Sequence, residues 1–484
     1  MLIVNSDLPI YTLRFPGIRL YIIQSTTLIS AVQKQARTIS FAPVMVNMAA
    51  KIMGSSKRDL EIIGRDPVAD DGHIPGMQRV IHGALRPGVK LDALNRRTAK
   101  FVTASIDALA SNVKGKGPTT INMYQWISHQ VMMAVTEGIY GPLNPFRDDS
   151  AVPAFRGFEA GVLPLITSPF PSINARSHIR ARETLFKSYV AYYETRGYED
   201  PQTSAFIRDN QQYYASEGFT LEAMARSEMM SSVALLSNTM PATFWLVYHI
   251  VSDPAVLADC REELVRALNL GGEPDGEAAT PAAVRSIDID CIRRQCPILL
   301  STFKEVFRYH GIGISSRVIL DDHLLDDQFL LKKGNILLIP GVVQHQDRSV
   351  WGDNVNEFYH KRFVEGATGG RKGSRRLNPV AFRGFGGGST LCPGRHFAAT
   401  EIMAFAALFI LRFECRPASG AAGWLAPSVE KTNLATSIHQ PDHDVEIEVR
   451  LRDKYRGRWE VKLSESDVPM EVTAEDMAAV EVGV

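Results

Sequence analysis

Residues 382–411 read FRGFGGGSTLCPGRHFAATEIMAFAALFIL, from Phe382 to Leu411, and no other stretch of the chain constrains its fold as strongly. Gly384, Gly386, Gly387 and Gly388 precede Cys392, and Pro393 and Gly394 follow it. Glycines lacking Cβ let a backbone lie flat against a large planar ligand and aim N–H groups at a thiolate sulfur, spreading its charge. A helix starting just after the cysteine adds its positive end, which is expected to lower the thiol pKa and favour the thiolate. A phosphate-binding loop is the obvious competitor, but there is no G-K-[ST] ending and no G-x-G-x-x-G after a strand. A buried structural cysteine would not require the glycines, and zinc would require ligand partners that are absent nearby.

Moving upstream, the segment CPILLSTFKEVFRYH holds Glu305 and Arg308 three residues apart, on one face of a helix where they can pair. Taken alone, such a pair is usually a surface salt bridge of little worth. Further back, a helix is expected from an N-cap at Thr220 through MARSEMMSSVALLSNTMPATFWLVYHIV to a stop at Asp253-Pro254, the longest helical stretch read from the pattern. It is apolar on most sides and so expected to be buried. Pro241 cannot donate an N–H, which leaves the carbonyl of Ser237 without its helical partner, so the helix should kink or open beside Ser237 and Asn238.

The rest of the chain sets the frame. Its 484 residues are 45% hydrophobic and 22% charged, the balance of a globular protein with room for a deep apolar pocket. Lys plus Arg equals Asp plus Glu at 53 each, so no field of one sign points to nucleic acid or an anionic membrane. The five cysteines form neither a disulfide framework nor a pair of C-x-x-C knuckles, and a reducing compartment suits them best. Asp7, Arg14 and Arg19 interrupt every N-terminal stretch that could span a bilayer, so neither signal peptide nor membrane crossing is expected.

YTLRFPGIRLYIIQS, from Tyr11 to Ser25, predicts two strands around a Pro16-Gly17 turn. Helical spacing dominates beyond about residue 90, with clear strand patterns returning near Ser316–Leu320, Gln328–Leu338 and Val445–Leu451. The expected fold class is therefore mainly α with small β-sheets (α+β). The loop-like stretches Gly271–Thr280 and Gly366–Asn378 are too short to serve as domain linkers, and there is no internal repeat. One large domain over residues 1–463 is expected, followed by an acidic, mobile tail over 464–484.

Phe385, Gly386, Gly388, Cys392 and Gly394 match the heme-binding signature F-G-x-G-x-x-x-C-x-G, and on these residues the chain resembles the cytochrome P-450 superfamily of heme-thiolate monooxygenases. Glu305-Val306-Phe307-Arg308 resembles the E-x-x-R of that superfamily, and Arg362 in EFYHKRF resembles the third member of its Glu-Arg-Arg cluster, with His360 replacing the usual proline. The resemblance covers almost the whole chain and implies one helix-rich domain around a buried heme b, with Cys392 as the sulfur ligand of the iron. Arg317 in GISSRVIL resembles the arginine that grips a heme propionate, and a guanidinium fork suits a carboxylate. Thr390 stands where many members carry Arg or His, and no W-x-x-x-R occurs in the helical region following Leu91.

FWLVYHIVSDPAVL resembles the central helix of the superfamily running into the next one. Counting back from Pro254 places Ala234 over the heme, Ser237 at the usual acid position and Asn238 at the usual threonine position, so the familiar acid–alcohol pair is missing. LLSNTMPATFW resembles instead the sterol 7α-hydroxylase and prostacyclin synthase branch. The resemblance also puts Gly311–Ser316 and Thr432–Ser437, both uncharged, along the pocket and implies a lipophilic small-molecule substrate such as a sterol, terpenoid or other secondary metabolite. Electrons would come from NADPH through an NADPH-cytochrome P-450 reductase. The Ser237-Asn238 replacement also allows a heme-thiolate isomerase or dehydratase that rearranges a peroxide without external electrons, and a heme-binding sensor is the third reading. For location, it implies an intracellular protein, at the endoplasmic reticulum face if an anchor precedes this chain and cytoplasmic otherwise, with peripheral membrane contact left open.

Overall fold

The computed structural model describes residues 8–270, 284–364, 379–420, 423–431, 433, 435–463, 472–473 and 476. The opening hairpin forms as the pattern predicts. Strands β1 (Ile10–Phe15) and β2 (Ile18–Ile23) pair antiparallel, with Phe15 opposite Ile18 across Pro16-Gly17. Gly17 has φ +78°, the left-handed conformation that glycine adopts without steric cost.

The hairpin is the edge of a five-stranded sheet completed by β3 (Ile39–Ser40), β4 (Ile314–Ile319) and β5 (Ile336–Pro340), in the order β1-β2-β5-β4-β3. Arg317 lies opposite Leu337 in the antiparallel β4–β5 pair. The strand pattern expected near Gln328–Leu338 forms as two strands, Phe329–Leu331 and Ile336–Pro340, with Gly334 at φ +77° turning the chain between them. The expected strand Val445–Leu451 forms as Glu446–Leu451. Thr119–Asn122, Val284–Asp288 and Phe413–Pro417 are also strands, each too short for its alternation to stand out from the surrounding sequence.

Helices make up the body. The ones that build the site are α1 (Val89–Lys116), α2 (Met123–Tyr140), α3 (Ala151–Glu159), α4 (Arg176–Glu194), α5 (Leu221–Leu236), α6 (Thr239–Ser252), α7 (Pro297–Tyr309) and α8 (Arg395–Arg412). The longest described helix is α1, with 28 residues; the stretch expected to be longest is divided into α5 and α6, of 16 and 14 residues. Its ends fall where the caps predict. Thr220 Oγ1 accepts from Ala223 N, and Asp253 Oδ1 accepts from Ala255 N and Val256 N ahead of the next helix. The break falls at Ser237-Asn238, four and three residues before Pro241, as the missing N–H requires. Thr239 Oγ1 and Thr243 Oγ1 donate back to the carbonyls of Leu235 and Thr239, a bonding pattern that often accompanies bent helices.

α5 is tied into the body by a buried acid. Glu228 is fully enclosed among Tyr140, Tyr189, Tyr193 and Tyr214, and Tyr140 Oη donates to its Oε1 at 3.2 Å. Burial raises its pKa from 4.5 to about 7, against the opposing effects of Tyr140 and Asn210. A carboxyl whose folded pKa is raised stabilises the fold most, relative to the unfolded chain, below the unfolded pKa, and that advantage disappears as pH rises through the folded one. The parent should therefore lose about 3 kcal/mol relative to Glu228→Gln between pH 4.5 and 7, measured as the difference in urea unfolding free energy across that range. Equal pH slopes for the two proteins would show that Glu228 is not protonated by its surroundings.

α8 starts right after the cysteine loop and is buried on nearly every side, with Ala399 to Arg412 continuously enclosed. It packs against α1 and α6, so the loop in front of it is set on a fixed base. The stretches Gly271–Thr280 and Gly366–Asn378 lie outside the described residues. So does most of the tail expected to be mobile, but Val472, Thr473 and Asp476 are described and buried. Asp476 pairs with Arg395 at 2.7 Å, at the head of α8.

Candidate active site

A cavity of about 430 Å³ lies between the α5–α6 break and the cysteine loop. Of the residues singled out in the sequence, Ala234, Asn238, Phe385, Gly386, Cys392 and Gly394 line it together, although 158 positions separate Ala234 from Cys392. Arg317, Gly388 and Ser237 are not among its lining residues, although Arg317 bonds Ser315 and Thr390 of the wall and Ser237 adjoins Asn238.

The loop is shaped by its glycines. Gly386 has φ +83°, and a Cβ there would meet the Thr390 carbonyl oxygen at 2.5 Å. Cys392 N donates to Phe385 O at 2.9 Å and closes the turn, leaving the sulfur beside the cavity. Gly388 has φ +57°, and a Cβ there would meet Gln33 Cγ at 2.8 Å, so this glycine also lets the loop pack on the N-terminal region.

The electrostatics of Cys392 depart from expectation. The N–H of Gly394 and the charge of Arg395 both act to lower the thiol pKa, but burial outweighs them and pushes it up. The helix end alone does not make this thiol a thiolate. A bound metal cation would, because coordination removes the proton outright.

Behind the loop, Glu305, Arg308 and Arg362 form a buried cluster, 0%, 2% and 6% exposed. Arg308 meets both Glu305 oxygens at 2.7 Å, and Arg362 Nε meets both at 3.0 Å. The remaining Arg308 N–H groups go to the carbonyls of His345, Val355 and Glu357, and those of Arg362 to Trp351, Asn354 and Glu357. Every donor of both guanidinium groups is satisfied, which a surface ion pair never achieves. On the same helix Phe307 stacks on Phe385 with ring centres 4.4 Å apart, and His345 Nε2 accepts from Arg383 N. The cluster therefore fixes the position of the cysteine loop. His360, in place of proline, bonds Asp259 at 2.8 Å.

Arg317 is 1% exposed, and its fork donates to Ser315 Oγ, Ser316 O and Thr390 Oγ1 at 2.9–3.1 Å, all of them neutral oxygens. Burial, with a contribution from the nearby charge of Arg383, lowers its pKa to about 10. Arg383 itself lines the cavity and is the one charged residue among its described walls. Arg383 stands two residues before Phe385 and matches no motif in the sequence. Two buried cations at one end of a cavity and a soft sulfur facing it suit a flat dicarboxylate with a metal centre, which is the chemistry of heme.

On the opposite wall, Asn238 Oδ1 accepts from Ser437 N at 2.7 Å. This joins the helix break to the segment carrying Ser437 and Ile438, which line the cavity with Gly313, Ile314, Ser315 and Ser316. Both expected wall segments are thus represented; Thr432 and Leu434 lie outside the described residues. Behind the break, Glu401 of α8 faces Thr239, both of its carboxyl oxygens are sealed, and burial holds its pKa well above the usual range. No helix among the described residues is long and apolar enough to cross a membrane.

The family model of cytochrome P450 matches residues 8–436. The chain is 33% identical over 464 residues to cytochrome P450 monooxygenase nodJ of Hypoxylon pulicicidum, covering 95% of this chain and 86% of that one. A cytochrome P450 monooxygenase of Gibberella zeae is 26% identical over 460 residues, 94% of this chain and 83% of its own. Cytochrome P450 7A1 of Sus scrofa is 26% identical over 241 residues, 48% of this chain and 47% of its own.

Proposed function

The chain belongs to the cytochrome P450 family, and from that membership we propose that it is a monooxygenase of a lipophilic secondary metabolite, fed electrons from NADPH by a reductase. As a cytochrome P450 monooxygenase it is an oxidoreductase that uses heme b. The observation that carries the finer reading is the cavity itself. It has a sulfur on one face, an opened helix on the other, and no charge on its described walls except Arg383 at one end.

In this reading Cys392 would hold the iron, and Gly386 and Gly394 would give the ring room. Arg317 and Arg383 would take the propionates, and Ala234 would border the ring from the helix side. The heme then supplies reduction and cleavage of dioxygen, aided by electron density from the thiolate. The protein's own contribution is orientation. Asn238 spends its carbonyl oxygen on Ser437, so its amide N–H groups are left to donate to a substrate or water oxygen. Walls that carry no charge among the described residues apart from Arg383 favour apolar substrates.

Asn238→Ala should keep the carbon monoxide spectrum and lower the yield of product per NADPH. Because the Asn238 amide would no longer donate to a substrate oxygen, binding to the mutant should also weaken by about 1 kcal/mol, roughly fivefold. Substrate-induced spectral titration against sterol, terpenoid and polyketide panels reads the second effect. Unchanged affinity and coupling would reduce Asn238 to a packing residue. The rival reading draws on the absent acid–alcohol pair and needs no electrons. It predicts product from a peroxide substrate with neither NADPH nor reductase present.

A further inference from the structure

Insertion of one oxygen atom from dioxygen consumes two electrons and two protons and releases water, so protons must enter the cavity at each turnover. Asn238 cannot relay them as an acid, since an amide has no accessible ionisation near neutral pH. Ser237, at the other half of the break, is also no acid, but it does not stand alone. Glu159, the last residue of α3, turns its carboxyl toward the Ser237 hydroxyl and is 7% exposed. Glu159 Oε1 and Ser237 Oγ are both sealed from solvent without a formed hydrogen bond. The end of α3 is held there by Asn433, whose Nδ2 donates to Glu159 O at 3.1 Å.

We propose that Glu159, acting through Ser237, stores and delivers the proton that the cavity needs at the break in the central helix. This rests on the monooxygenase reading above. The residue that replaces the missing acid comes from a different helix, 78 positions upstream of the serine. In the step, the Glu159 carboxyl proton moves to Ser237 Oγ while the Ser237 hydroxyl proton leaves toward Asn238, to a cavity water or a substrate hydroxyl. The Glu159 carboxylate then recovers a proton from solvent, so one proton crosses and the serine is regenerated. Refilling is feasible because α3 ends at Glu159 and the next residue, Ala160, is exposed. Glu401, the other buried acid near the break, lies mid-helix in α8 with both oxygens sealed. The groups facing Glu159 are Ser237 and the Gln440 side chain, Arg156 on its own helix and Tyr124 of α2. Burial outweighs Ser237, Arg156 and Gln440 and raises its pKa above the ordinary carboxyl value.

Infrared spectra of the holoenzyme at neutral pH, recorded for the parent, Glu159→Gln and Ser237→Ala, test the store directly. A protonated carboxyl band should be missing in Glu159→Gln and shifted in Ser237→Ala. Dioxygen consumption with NADPH and reductase tests delivery. The parent should slow as pH rises through the Glu159 pKa, and Glu159→Gln should be several-fold slower without that limb. Glu159→Asp should restore the limb. A band untouched by either substitution overturns the proposal, as does a limb that survives in Glu159→Gln or vanishes instead in Glu401→Gln. Retention of the carbon monoxide spectrum shows that each variant is folded. A parent that consumes no dioxygen with NADPH and reductase would sink the monooxygenase reading and the delivery role with it, while the infrared result still decides separately whether Glu159 holds a proton.

Discussion

Cys392→Ser should abolish the red-shifted Soret band of the reduced, carbon monoxide-bound protein, while serine or alanine at Cys260, Cys291, Cys296 or Cys415 leaves it intact. Serine cannot supply a soft anionic sulfur to iron. The structure sharpens this, because Cys392 is the one cysteine on the described cavity wall. None of the other four lines the described cavity, and Cys260 and Cys296 are buried elsewhere in the fold. The effect should be all-or-none rather than graded. A thiolate spectrum surviving in Cys392→Ser would move the ligand elsewhere and undo the assignment of the cavity.

Glu305→Ala is the second large effect. It removes the carboxylate that both Arg308 and Arg362 grip and leaves two guanidinium charges in a region that water does not reach. Breaking a buried pair by deleting one partner costs about 3–5 kcal/mol, and here two partners are stranded at once. Tyr359 N, which donates to Glu305 Oε1 at 3.0 Å, also loses its acceptor. Since this cluster supports the cysteine loop through Phe307 and Phe385, heme incorporation should fail before any rate is measured. A variant that binds heme stoichiometrically and melts like the parent would show that the cluster does not hold the loop.

What the sequence revealed follows from how local each signal is. The cysteine loop and the Glu305–Arg308 pair are contiguous motifs, and the structure brings them together through Phe307 and Phe385. The helix break was legible because one residue, Pro241, removes a specific hydrogen bond. Arg383 and Glu159 were not. A lone arginine has no pattern, and the relation of Glu159 to Ser237 exists only once α3 is laid against the central helix. The helix start that follows Cys392 is visible in sequence, whereas the opposing effect of desolvation on its thiol depends on the packing of distant segments. The short strands were missed for a related reason: two to five residues carry too little alternation, and their pairing with distant partners is what makes them strands.

Iron-edge X-ray absorption of the purified protein loaded with heme tests the central claim most directly. One sulfur neighbour to the iron is predicted in the parent, lost in Cys392→Ser and kept in variants of the other four cysteines. A parent spectrum fitted by nitrogen and oxygen neighbours alone would contradict the heme-thiolate assignment.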